Sequence, residues 1–253
     1  MAALLLVVSC AKGTPTNPIL PPGVSPTPFP VPPYVGIGKY QMLGEFTDVP
    51  WSAGVPFITF LEVRQALGSA FAHRDVSGFT YSLKGSHLLS RDDGDRVKPL
   101  TEGDAGWTGS ADQHQNPASP DSLWYFVAMR SIAQRSTALS YPTYKLVYET
   151  PDLPTPPQGK RLVHQLGLIT MAPGGRTSSH SHGGSEVFYV IEGTIELSLN
   201  DGTKIKINAG QGGTVKPGRV MQMHVLGDAP VKILTYFVTP QGDPWQTNLQ
   251  TTP

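Results

Sequence analysis

The chain has 253 residues, enough to bury one large core or two small ones. Lysine plus arginine and aspartate plus glutamate balance at 19 each and the pI is near 7.1, so no basic stripe suits nucleic acid and no acidic tail suits a charged partner. The 27 glycines and 25 prolines suit many short strands joined by turns.

Residues 2–8 are an apolar run too short to span a bilayer and at the lower limit for the core of a signal peptide. Val7-Val8-Ser9-Cys10 follows at once and resembles the lipobox of bacterial lipoproteins. The resemblance implies cleavage before Cys10, acylation of its thiol, and a secreted or cell-envelope bacterial protein that meets the membrane only through that lipid. No Lys or Arg precedes the run, a departure from the signal pattern. Cys10 is the only cysteine, so no intramolecular disulfide can form. Residues 1–9 thus read as a signal-like segment and 10–36 as a proline-rich linker, with nine prolines between Thr14 and Pro33. Such composition favours extended polyproline geometry, a semi-rigid tether, or simply low-complexity chain.

Residues 37–150 form the first folded unit. Short apolar runs, PFITFLEV, GFTYSL, SHLLS, DSLWYFVAM and TYKLVYE, are broken by turn signals such as Asp93-Gly94, and no run sustains a helical repeat. A second proline-rich connector, 151–159, marks a boundary. Residues 160–240 again give short apolar runs, with turns at Asn200-Asp201-Gly202 and Lys216-Pro217-Gly218 and hairpin alternation from Thr194 to Ile207. Residues 241–253 read as a flexible tail. This strand spacing suits an antiparallel barrel or jelly roll.

Within the second unit, GGRTSSHSHGGSEVFYVIEG concentrates the chemistry. Residues two apart in a strand face one way, so His180 and His182 can aim two imidazoles into one space. Gly183 and Gly184 permit a tight reversal. Regular alternation then puts Phe188 and Val190 on the face of Glu186, with Tyr189 opposite as packing. Two imidazoles and a carboxylate suit a divalent transition metal with open coordination positions. Read as G-x5-H-x-H-x3-E-x6-G on Gly174, His180, His182, Glu186 and Gly193, the spacing resembles the first signature motif of the cupins.

That resemblance implies an all-β chain with two tandem cupin, or jelly-roll, barrels. It implies a bound Fe, Mn, Zn, Ni or Cu ion on His180, His182 and Glu186. The second cupin motif normally supplies a last histidine, but the register of GTVKPGRVMQMHVLGDAP puts Met221 there. Three outcomes stay open. The metal keeps three protein ligands and more water, which we prefer; Met221 supplies a thioether, which would favour copper; or a bulge turns Gln222 or His224 inward. His224 is the next candidate ligand.

Phe79 to Gly94 set beneath Val187 to Gly202 gives six identities in sixteen positions at a constant offset of 108. We read an internal duplication. The offset carries His180, His182 and Glu186 onto Ala72, Arg74 and Gly78, so the first barrel keeps no metal triad. Of the histidines there, His73 and His114 are the ones that bear on a site, and one inserted residue sets His114 on the position of Met221. The functional expectation is a metal-dependent cupin acting on a small organic molecule, by dioxygenase or other oxidoreductase chemistry, with isomerase or lyase chemistry behind it. The alternative is a non-catalytic cell-surface module that binds a small ligand or metal ion. Either would be a monomeric bicupin or a homodimer.

Overall fold

The structure, a computed structural model, describes residues 38–47, 51, 54–72, 76–90, 97–135 and 144–249. The leader-like run, Cys10, the proline tether, His73, Asp93 and Gly94 lie outside them. In chain order the first half holds β1 (Lys39–Thr47), β2 (Pro56–Gln65), β3 (Ala70–Ala72), β4 (Gly78–Lys84), β5 (Ser86–Ser90), β6 (Val97–Thr101), β7 (Ala105–Thr108), β8 (Gln113–Gln115), β9 (Ser122–Ser131) and β10 (Tyr144–Glu149). The second half holds β11 (Leu162–Met171), β12 (His180–Ser181), β13 (Ser185–Glu192), β14 (Thr194–Leu199), β15 (Lys204–Asn208), β16 (Gly212–Val215), β17 (Met221–Val225), β18 (Val231–Pro240) and β19 (Thr247–Asn248). Every apolar run read from the sequence within the two folded units became a strand over its described residues, and the Thr194–Ile207 stretch is the β14–β15 hairpin, closed through Gly202 at φ 86°.

Four antiparallel sheets form two barrels with one strand order repeated. The larger sheet of barrel one runs β10-β2-β9-β4-β7, and that of barrel two runs β1-β11-β18-β13-β16. Their smaller partners run β3-β8-β5-β6 and β15-β14-β17-β12-β19. Two edge strands are exchanged. β1 leaves the first half to pair with β11, and β10, which is the repeat's counterpart of β1 and so opens the second copy of the strand order, pairs with β2. The exchange is symmetric in detail, since Tyr40 faces Ile169 as Tyr144 faces Val63, and each strand carries one irregularity, between Met42 and Gly44 and between Leu146 and Tyr148. The first-half assignment of residues 39–47 therefore holds in sequence but not in space.

The large sheets pack face to face. Phe60, Phe79, Tyr81 and Tyr125 of barrel one meet Leu166, Tyr189, Leu234 and Tyr236 of barrel two in one buried cluster. β13 is thus buried on both faces: Val187 and Tyr189 enter this interface, while Phe188 and Val190 fill barrel two beside Met221, Met223 and Ile233. A strand covered on both sides reads as a continuous apolar run, as VFYVI does. Each exchanged strand also clamps the other barrel. Phe46 of β1 stacks on Trp107 of β7 at 4.0 Å, and the Tyr148 hydroxyl of β10 lies 3.1 Å from Thr214 Oγ1 of β16.

Candidate metal centre

β12 is a short strand held at His180 by Met221 of β17 on one side and by Asn248 of β19 on the other. The expected flexible tail is corrected here up to residue 249: the chain after β18 folds back, pairs Thr247 with Ser181, and lays Trp245 against His182. Gly183 and Gly184 form a bend without left-handed backbone. Close approach is what requires them, because a Cβ on Gly184 would lie 2.0 Å from Val238 O and one on Gly183 would lie 2.7 Å from Pro244 O. The notion that these glycines serve a tight turn is replaced by that packing.

The bend delivers the three groups together. One ligand atom from each of His180, His182 and Glu186 lies within 4.8 Å of the others, and all three side chains are buried. Each imidazole is oriented by its other nitrogen: His180 Nδ1 is 2.7 Å from Ser178 O, and His182 Nδ1 is 2.6 Å from Trp245 O. A carbonyl can only accept, so both Nδ1 atoms carry the proton and both Nε2 lone pairs remain for a metal. The Thr235 hydroxyl donates to Glu186 Oε1 at 3.0 Å. Glu186 Oε2 and His182 Nε2, 3.4 Å apart, are buried without a hydrogen-bond partner among the described residues. Orphaned buried acceptors of this kind are what a cation would satisfy. The residues therefore fit a divalent transition metal ion.

Electrostatics agree with the ligand roles. Burial lowers the pKa of His180 and keeps it neutral. Burial opposes ionisation of Glu186, but the imidazoles of His182 and His180 and the Thr235 hydroxyl outweigh it and hold the carboxyl below its usual range. Burial also works against protonation of His182, yet Glu186 and the Trp245 carbonyl raise its pKa. The pKa of Tyr40 is pushed up, by burial first and then by the charge of Glu186, so its phenol stays protonated.

His224 is not part of the cluster. β17 keeps regular alternation, so Met221 and Met223 face the core while His224 faces outward, its Nδ1 3.7 Å from Glu196. The bulge that would have turned it inward is missing from β17, and Gln222 is likewise turned away, donating to Thr177 O at 2.9 Å. Met221 packs in the apolar core. A cavity of ≈ 90 Å³ opens beside the triad, lined by Tyr40, Phe237 and Trp245 among others and by exposed Ser178. Sequence reasoning missed Tyr40, Thr235 and Trp245. The one signal for Trp245 was a lone large aromatic in an otherwise polar tail.

The corresponding interior of barrel one is filled. Phe71 pairs with His114 as His180 pairs with Met221, so Phe71 rather than Ala72 occupies the place of the first histidine. Gly78 stands where Glu186 does, and a Cβ there would lie 2.3 Å from Val127 O. Fully buried Trp124 stacks on His114 at 4.3 Å and on His87 at 4.9 Å.

Residues 167–237 match the sequence model of the cupin domain family. Barrel two is a cupin domain. Among solved structures, the fold is similar to oxalate decarboxylase from Bacillus subtilis at pH 4.6, with TM-score 0.56, 14% identity, and 83% of this chain and 78% of that chain covered. A formate complex of Lactobacillus farciminis oxalate decarboxylase gives TM-score 0.56 at 11% identity, covering 81% and 88%. No curated protein sequence matches the chain. The cupin resemblance of the His180–Glu186 motif is thus matched by the fold of both halves.

Proposed function

We propose that this bicupin is a metal-dependent enzyme that works on a small organic molecule, with dioxygenase or related oxidoreductase chemistry as its reaction class. The observation that carries the reading is the convergence of His180, His182 and Glu186 within 4.8 Å next to an open cavity. A divalent metal held there would supply Lewis acidity and, if redox-active, electron transfer to dioxygen. The chain supplies the rest. Ser178 O and Trp245 O fix the two imidazoles, Thr235 fixes the carboxylate, and Phe237 and Trp245 keep water from one side of the cavity. Glu186 acts as a ligand here, not as a free general base.

The test is elemental analysis of tag-free protein beside His180→Ala. Metal retained in the parent and lost in the variant supports the centre, whereas equal, negligible metal in both would sink it. The likeness to oxalate decarboxylases makes small carboxylic acids the first molecules to try. Dioxygen uptake with any of them supports oxidation; binding without turnover favours the second reading, a module that only captures its ligand, which the three-ligand set and the filled first barrel favour. We further propose that the lipobox-like Val7-Val8-Ser9-Cys10 anchors the protein at a bacterial cell envelope. Labelled fatty acid that persists in Cys10→Ala would exclude acylation there.

A further inference from the structure

The equivalent strands β3 and β12 are held in different ways. In barrel one β3 pairs with β8 at three positions, Ala70 with Gln115, Phe71 with His114 and Ala72 with Gln113. In barrel two β12 pairs with β17 at His180 alone, and β19 supplies two further positions from the opposite side. The barrel with the metal ligands thus relies on the returning tail for part of the ladder beneath them. Barrel two itself reaches the ligand segment through Thr177 N–H to Met223 O at 2.9 Å and Gly218 N–H to His182 O at 2.7 Å. The tail adds three contacts. Gly183 N–H donates to Pro244 O at 2.9 Å, Leu249 N–H donates to Ser179 O at 2.9 Å, and His182 Nδ1 lies 2.6 Å from Trp245 O.

Residues 241–249 therefore form a strap, and its grip is concentrated on one side chain. Pro244, Thr247 and Asn248 are exposed, and the Lys160–Asp243 ion pair at 3.4 Å joins two solvated groups, which hold each other weakly. The ring of Trp245 is the anchor: it lies 4.9 Å from Tyr40, 5.6 Å from Phe237 and 5.8 Å from His182. Trp245 and Gln246 also line the cavity beside the triad. An imidazole that ligates through Nε2 must keep its proton on Nδ1, and the Trp245 carbonyl is the acceptor that fixes this form of His182. With the strap lifted, His182 loses that acceptor and β12 loses two of its three ladder positions. Conversely, an ion on Nε2 enforces the N–H that binds the strap. Two events that each favour the other share a coupling free energy.

Resting on the metal-centre reading, we propose that residues 241–249 are a latch on the ion: docking of the strap through Trp245 and occupancy of His180, His182 and Glu186 stabilise each other, and the ion is released when the strap lifts. Trp245 is a positioning residue in this device. Its ring seats the strap, and its backbone carbonyl sets His182.

The test uses the full chain loaded with zinc and reads two quantities, the rate at which a chelator strips the ion and the hydrogen exchange of the Leu249 amide. Trp245→Ala, which keeps the carbonyl but empties the seat, loses zinc about 10- to 100-fold faster than the parent, as loss of an outer partner of a ligating histidine does. Trp245→Phe, which keeps a ring in the seat, stays close to the parent. In the parent, zinc slows exchange at Leu249, which lies on the strap and touches no ligand side chain; in Trp245→Ala zinc gives no such protection. If zinc leaves Trp245→Ala at the parent's rate, or the parent's Leu249 amide exchanges alike with and without zinc, the latch falls and the metal centre stands. The exchange comparison needs only the parent, so it decides the matter even where Trp245→Ala fails to fold. Failure of the parent to take up zinc overturns both.

Discussion

Barrel one and barrel two share a strand order, a pair of exchanged edge strands and a common interface, yet their interiors are opposite in kind. In barrel two the space between β12, β13 and β18 holds His180, His182 and Glu186 beside a cavity. In barrel one the matching space holds Phe71, Gly78 and an indole, Trp124, wedged against His87 and His114. The same backbone therefore supports either a polar centre or an aromatic plug, and which one forms is decided by a few side chains at fixed positions. A plugged barrel still contributes, since its larger sheet buries the outer face of β13, the strand that carries Glu186.

The sharpest break of this contrast is removal of a ligand. His182→Ala should abolish metal retention in purified protein by elemental analysis while Trp124→Ala leaves it untouched. Trp124→Ala should instead destabilise the fold by about 3–5 kcal/mol in urea melts, the usual cost of deleting a large buried aromatic. Equal metal loss in both variants would mean that the barrels are not functionally distinct.

Acid provides a second separation. His87, almost fully buried in barrel one with neither ring nitrogen hydrogen-bonded among the described residues, has its pKa lowered by burial from 6.5 to about 4. Between those values the unfolded chain binds a proton that the folded chain refuses, so stability is complete above pH 6.5 and falls as the pH drops towards 4. The shift corresponds to about 3 kcal/mol. His87→Leu should flatten that part of the stability–pH curve, and a curve unchanged by the substitution would show that the ring is hydrated.

Smaller effects refine the picture in barrel two. Thr235→Val keeps shape but frees Glu186 Oε1, and should weaken metal binding about 10- to 100-fold in competition with a chelator. His224→Ala should leave metal affinity where it was, because its imidazole faces Glu196. A loss there would put the outward register of β17 in question.

Much of this was readable from the chain. Short apolar runs broken by turn signals identified the strands, the parity of Glu186, Phe188 and Tyr189 gave the two faces of β13, and the offset of 108 revealed the repeat. The register of the repeat slipped by one at Phe71, since a local insertion is invisible until β3 and β8 are paired. His224 looked available because a bulge can reverse a side chain, and only the pairing of β17 with β14 shows a ladder without one.

The sequence by itself determined which residues make the triad, because two imidazoles and a carboxylate fall within seven residues at the spacing of one motif. The tertiary structure decided everything that closes around it: Tyr40 facing Ile169 from far along the chain, Trp245 returning to hold His182, and the aromatic plug of the other barrel. Those placements follow from burying whole sheets against one another, a non-local balance of apolar area that no short window of residues contains.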